Sequence, residues 1–485
     1  MPDPLAFLSA RALAARIRRG KLTSEQLLDL YVARMDQYNP RINAIIATDL
    51  RAARKRARAA DAALAKGELW GPLHGVPMTI KESFDVIGMP TTWGLPQLKD
   101  NYPKRNALAV DRFRNAGAVL FGKTNVPAML ADWQTFNAVY GTTNNPWDLS
   151  RVPGGSSGGS AAALAAGITG LEAGSDIGAS IRNPAHYCGV YGHKPTWGIC
   201  APDGQSLPGR LATQDIAAIG PLARSADDLA LALGVMAGPD AIDGRGWRLD
   251  LPRAAKTSLR QFRIAVMLTT ATAEVDRSVQ DRIQALADFL GRVKATVSDR
   301  ARPDIEPAEA HHVYIQLLRA ATSRNQTDEV FARNLEAARD VQPDDTNYYA
   351  WMVKANTMFH RDWLRWDEIR QRMRFKWAQF FEHYDLLLCP AAATAAFPHD
   401  HQGERWERMV TVNGTPQPST TQMFWAGYPG MANLPSTVAP AGMTAAGLPV
   451  GVQIVGPQYA DLTCIRFAQL LEREYQAFVA PPAYE

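Results

Sequence analysis

The sequence predicts an α/β protein, and three observations carry that expectation. Segments of two-residue hydrophobic period alternate with segments of helical period from residue 76 onward. Hydrophobic residues make up 46% and charged residues 21% of 485 positions, the balance of a folded globular chain rather than a disordered or fibrous one. No internal repeat, low-complexity linker or composition shift marks a boundary, although the length alone would allow about three domains.

Residues 5 to 66 read as helices. Leu13 and Ile17 share one face, and "TSEQLLDLYVARMDQY" opens with a capping-box pattern from Thr23 to Gln26 and is expected to end at Pro40. "LRAARKRARAADAALAKG" places small apolar and basic residues at helical spacing, with Gly67 as its C-terminal cap. Its basic run reads as a solvated face rather than an RNA surface, because alanine and not aromatic residues separates the charges. "VPMTIKESFDV" then alternates Val76, Met78 and Ile80 with Pro77, Thr79 and Lys81, a strand carrying a lysine at its end. A helix from "ALAVDRFRNAG", a strand "AVLFGKT", a turn-rich loop over 141–160 and a small-residue helix "AAALAAG" follow. Residues 224–238 read as helix, and 300–387 as a helix-rich stretch crowded with Trp351, Trp363, Trp366 and Trp377. "LPVGVQIVG" returns to strand period before a last helix, "DLTCIRFAQLLEREYQAF".

The 52 basic against 48 acidic residues leave +4, too little to imply a nucleic-acid partner. Four scattered cysteines lack any CxxC spacing, so they read as reduced thiols, with neither zinc nor disulfides expected. No run approaches the ~18 apolar residues of a membrane span, and the N-terminus lacks a signal-peptide pattern, so a cytoplasmic protein with no membrane or nucleic-acid partner is expected.

The densest chemical signal is residues 154–197, "GGSSGGSAAALAAGITGLEAGSDIGASIRNPAHYCGVYGHKPTWG". It lacks the lysine of a P-loop and the spacing of a dinucleotide fingerprint. GxSxG occurs in two frames, centred on Ser156 and Ser157, and leaves an α/β-hydrolase esterase using Ser157 as an alternative, but a polar loop with two prolines stands where that elbow needs an apolar strand. SxxK and HExxH are absent.

The run resembles the signature segment of the amidase signature family. "HGVPMTIKESFDV", "GKTNVP", "NNPWD", "GPLARSADDLALAL" and "GLPVGVQIVGPQYADLTCIRFAQLLE" resemble further segments of that family in the same order. The resemblance implies one amidase domain over 1–485, a mixed twisted sheet covered by helices, a signature catalytic core at 75–225 and a helix-rich variable insertion at 300–385. It also implies hydrolysis of amide C–N bonds without cofactor or metal by a lysine, a serine after a cis peptide bond and a nucleophilic serine. By motif these are Lys81, Ser156 after Gly155, and Ser180. A serine hydroxyl needs a base, and a buried lysine lowered from about 10.4 to about 7–8 would serve, at a cost of about 4 kcal/mol. Backbone amides of Ile177, Gly178, Ala179 and Ser180 would hold the oxyanion, while Ser157, Asp176 and Arg182 would support the loops.

His186 and His193 are expected to be structural, and Cys188 has no base beside it to make it a nucleophile. Two departures from the family pattern stand out. Ala179 replaces a common glycine, placing a methyl group beside the oxyanion site. Glu82 replaces a common aspartate, at a position expected to be outward and tolerant. Met129, Leu130, Trp133 and Phe136, with Phe424, Trp425 and Tyr428, are the candidate substrate contacts, pointing to bulky or aryl amides, carbamates or esters as small-molecule substrates of a monomer or homodimer. The main alternative is the glutamine-hydrolysing subunit of a tRNA-dependent amidotransferase, and a non-catalytic binding protein is a further one.

Overall fold

The computed structural model describes residues 5–342 and 344–485. An eight-stranded mixed sheet runs in the order Thr296–Ser298, Arg263–Val266, Leu386–Pro390, Pro449–Val455, Ser436–Met443, Tyr191–Lys194, Ala218–Ala223, Glu172–Asp176. The first three strands are mutually parallel and every later neighbour is antiparallel. Leu386–Pro390 and Pro449–Val455 are buried along their whole length, as strands covered on both faces are.

A second sheet of three strands, Ile45–Thr48, Val119–Thr124 and Pro77–Lys81, packs beside the Glu172–Asp176 edge. The period-two reading of the lysine strand explains the junction. Thr79 and Lys81 share a face, and that face meets Glu172–Asp176: the Thr79 hydroxyl donates to the Glu172 carboxyl, and Lys81 reaches Ser175. Glu172 is fully buried among hydroxyls without a cation, so burial raises its carboxyl to about 8.

Helices cover both sheets. Ser24–Ile42 carries the expected reciprocal cap between Thr23 and Gln26, and Leu50–Ala65 ends with Gly67 at φ +79°, its amide donating to Leu64 and that of Glu68 to Ala63. Ala53, Ala57, Ala60 and Ala63 face inward, so the basic run of this helix lies on the solvent side. Gly158–Ala165 is wholly buried. A Cβ on Gly159 would lie 2.3 Å from the Asn125 nitrogen, so only glycine lets this helix meet the neighbouring backbone.

Two expectations are corrected. Residues 5–66 are not all helical, because Ile45–Thr48 pairs antiparallel with Val119–Thr124, a long-range contact that a four-residue run cannot announce. The second helix also does not stop at Pro40. It runs to Ile42, because Asp36 and Pro40 face solvent, where water can satisfy the carbonyl that proline leaves unpaired.

The helix-rich stretch forms Pro307–Ser323, Asp328–Asp340, Tyr348–Asn356 and His360–His383. Trp377 is fully buried, and Trp351 and Trp366 pack on His312 with ring centroids 4.4 and 4.9 Å away, so these tryptophans hold helices together. The four cysteines are free and buried. Among the described residues no helix is long and apolar enough to cross a membrane, and no cluster of side chains could hold a metal ion.

Candidate active site

Lys81 ends its strand inside the protein, fully buried. Its Nζ lies 2.6 Å from Ser156 Oγ and 3.0 Å from Ser175 Oγ. Burial pushes the amine down to about 7, against the upward pull of Asp176 and Glu82. The loop before Gly158–Ala165 supplies Ser156, and the Gly155–Ser156 peptide is cis. A Cβ on Gly155 would lie 2.3 Å from the Asp132 carbonyl oxygen, so this residue must be glycine for the loop to reach the lysine.

Ser180 follows the Glu172–Asp176 strand, and the amide of Ser157 donates to its carbonyl at 3.1 Å, which fastens the two serine loops together. Ser156 and Ser180 open onto one cavity of about 270 Å³. Ser157 does not line it; its hydroxyl is buried and donates to the Ser175 carbonyl at 3.5 Å.

Asp176 and Arg182 shape the loop between them. The Asp176 carboxylate accepts from the amides of Ala179 and Ile181, both at 3.0 Å, and from Arg182 Nε and Nη2 at 3.0 and 2.8 Å. Desolvation raises this carboxyl, but the Arg182 guanidinium and the amides outweigh it and hold it near 2, ionised. Arg182 also donates to the Ala426 carbonyl at 2.9 Å and to Gln453 Oε1 at 2.7 Å. The amides of Ile177, Gly178 and Ser180 donate to no described residue, whereas that of Ala179 is engaged by Asp176.

Ala179 adopts φ +73°, a left-handed backbone that costs roughly 1–2 kcal/mol for a residue with a Cβ. Its methyl group is buried and absent from the cavity wall, so it takes no space from the cavity. Glu82 is likewise not outward. It is fully buried, and its carboxylate accepts from the amides of Thr92 and Trp93, the latter at 3.0 Å. Lys123, also buried, donates to the Pro90 carbonyl at 2.6 Å and Thr91 Oγ1 at 2.9 Å, so two charged groups hold the loop that puts Trp93 on the cavity wall.

Met129, Leu130 and Trp133 line the cavity, and Trp133 Nε1 also donates to the Gly178 carbonyl at 2.7 Å. Phe136 does not line it; its ring stacks on His401, centroids 3.8 Å apart. Phe424, Trp425 and Tyr428 face the core, and their neighbours Gln422 and Met423 form the wall. His186 receives the Gly451 amide at 2.8 Å and burial lowers its pKa, while Cys188 is pushed up by burial; neither borders the cavity.

The sequence reading missed Ser175, which is tied to Lys81 and, at 3.2 Å, to Gln205 Nε2, and Tyr314, whose hydroxyl donates to the Ile177 carbonyl at 3.2 Å. Ser175 sits one residue before Asp176 on the Glu172–Asp176 strand, inside the signature segment, and its contact with Lys81 joins two separate sheets. Nothing local marks Tyr314.

Residues 26–465 match the sequence model of the family described as Amidase. The chain is 34% identical to the acylamidase of Rhodococcus erythropolis over 96% of this chain and 95% of that protein. It is 32% identical to a glutamyl-tRNA(Gln) amidotransferase subunit of Anaeromyxobacter sp. (strain K) over 99% of this chain and 98% of that one. The structure of a bacterial aryl acylamidase of the amidase signature family superposes with a TM-score of 0.82 and 25% identity, covering 98% of this chain and 97% of that one. A serine pair beside a buried lysine, a mixed sheet in this order and a family match over most of the length agree: the chain belongs to the amidase signature family.

Proposed function

We propose that this amide hydrolase works through a Ser180 acyl-enzyme, with Lys81 as base and Ser156 as proton relay. The observation that carries the reading is a buried lysine lowered to about 7 and 2.6 Å from Ser156 Oγ. A neutral amine there accepts the Ser156 proton, Ser156 accepts that of Ser180, and the Ser180 oxygen attacks the substrate carbonyl carbon. The free amides of Ile177, Gly178 and Ser180 stabilise the oxyanion, while the Ala179 amide donates to the Asp176 carboxylate and so fixes the loop instead. As the tetrahedral intermediate collapses, the C–N bond breaks and Ser156 returns the proton to the departing amine. Water then releases the acid by the same relay.

Trp93, Met129, Leu130, Trp133 and Phe397 on the cavity wall suit an aryl or other bulky small-molecule amide, and carbamates and esters place the same atoms at Ser180. No cofactor or metal enters this scheme. The 32% identity to a glutamyl-tRNA(Gln) amidotransferase subunit favours a second reading, glutamine hydrolysis within a complex. Assay of the purified chain alone against acyl anilides, aryl carbamates and glutamine separates the two. Partner-free anilide hydrolysis that Ser180→Ala abolishes supports the proposal, and full activity in that variant refutes it. A serine-directed phosphonate is expected to label Ser180; an adduct on Ser157 would restore the esterase alternative.

A further inference from the structure

The cavity holds more positive charge than its own carboxylates compensate. Two acidic side chains line it, and each is already paired: Asp176 with Arg182, and Asp132 with Arg408 Nη1 at 2.6 Å. That leaves Arg319 and Arg405 on the wall, and neither makes an ion pair among the described residues. Arg405 is half-buried and donates to the Ala131 carbonyl. Arg319 is 7% exposed and its Nε is enclosed without a partner; its guanidinium meets the Tyr348 side chain rather than a carboxylate. The guanidinium lies over the Tyr348 ring, 5.4 Å from the centroid, and the Tyr348 hydroxyl is itself buried without a partner. Burial and the charge of Arg405 lower Arg319 to about 10, so it is still charged at neutral pH. Glu404 borders a neighbouring cavity with both arginines and pairs with neither.

An enclosed guanidinium without a counter-ion is costly, and an arriving anion recovers that cost. Its planar fork matches a carboxylate, which can accept two parallel N–H groups. Position fits a substrate pole. Tyr314 and Arg319 lie on the same helix, Pro307–Ser323, and five residues advance about 7.5 Å along its axis from the Tyr314 contact with the oxyanion loop. Resting on the amidase reading above, we infer that the preferred substrate is an amide carrying a carboxylate several bonds from the scissile carbonyl, seated on Arg319 with Arg405 beside it, its apolar body against Trp133 and Phe397.

The test compares matched acid and neutral substrates on either side of the amide. On the acyl side these are the mono-4-nitroanilides of succinic, glutaric and adipic acids against that of pentanoic acid. On the amine side they are 4-acetamidobenzoate against its methyl ester. At least one acid is expected to exceed its neutral partner in kcat/KM by about 10- to 100-fold, the size of a charge-assisted hydrogen-bonded pair. Arg319→Met is expected to abolish that preference through KM while leaving the neutral substrate within about threefold, and Arg319→Lys to restore part of it. The preferred acid should also bind the Ser180→Ala protein at least tenfold more tightly than its neutral partner. Hydrolysis of the neutral amides with no preference for any acid would overturn this inference and leave the amidase reading intact. Equal loss on acid and neutral substrates in a folded Arg319→Met protein would also overturn it. No hydrolysis of any amide, with Ser180 unlabelled by phosphonate, would refute both.

Discussion

Replacing Lys81 with methionine should make the protein inactive and, near neutral pH, more stable. The unfolded chain holds the lysine proton with the ordinary pKa of 10.5, whereas burial lowers the folded value to about 7. Between these limits the unfolded state binds the proton and the folded state does not, so wild-type stability rises with pH across that window. Below about 7 both states are protonated and the penalty is complete. The gap between 10.5 and about 7, at about 1.4 kcal/mol per pH unit, is worth about 5 kcal/mol. Methionine removes that penalty but deprives Ser156 of its partner at 2.6 Å and Ser175 of one of its two, at about 1–2 kcal/mol in all. The net expectation is a gain of about 3 kcal/mol at pH 7 that disappears by about pH 10. Urea unfolding of both proteins at pH 7, 8, 9 and 10 and fixed ionic strength reads the difference, which should shrink by about 1.4 kcal/mol per pH unit. Parallel stability curves would refute the buried neutral lysine, whatever the activity of the variant.

Four further outcomes are expected. The acidic limb of kcat/KM should fall with a midpoint near pH 7, and Glu82→Gln should move it to lower pH, because the Glu82 charge holds the Lys81 proton more firmly. The same substitution should destabilise the protein by about 1–3 kcal/mol by weakening the acceptors of the Thr92 and Trp93 amides, seen as a lower melting temperature. Ser180→Ala should lower kcat roughly 10³-fold or more without changing the melting temperature. Gly427→Ala should cost about 1–3 kcal/mol, read by chemical unfolding, since the added carbon would lie 2.2 Å from the Tyr314 ring.

Local spacing made much of the fold legible, and its failures have physical causes. The lysine strand was readable because alternation assigns a face to every residue. Alternation does not say what covers a face, and Glu82, correctly opposite Lys81, lies under the 90–93 loop rather than in water. Ser156 and Ser180 were readable through a motif in which both serines stand within 25 residues of one another, counted inclusively. Aromatic side chains carry no such information. Trp133 borders the cavity while Trp425 packs into the core, and their composition is the same. Arg319 and Tyr314 escaped notice because the contact of Tyr314 with the oxyanion loop spans 137 positions, and the lack of a counter-ion can be seen only when the surroundings are assembled.

Tyr314 binds the Ile177–Ser180 loop through its hydroxyl and lies with its ring against Gly427. One helix of the helix-rich stretch thus braces the loop that carries Ser180, while its later turns line the cavity through Leu318, Arg319 and Thr322. Exchanging this stretch between relatives would therefore transplant more than a preference. A graft with the same cavity-lining residues but a different seat for the tyrosine would loosen the Ile177–Ser180 loop and its unengaged amides. The cavity wall and the seat of the Ser180 loop are mechanically joined in this helix, and diversification here would proceed most readily through residues on its far turns, leaving the brace in place.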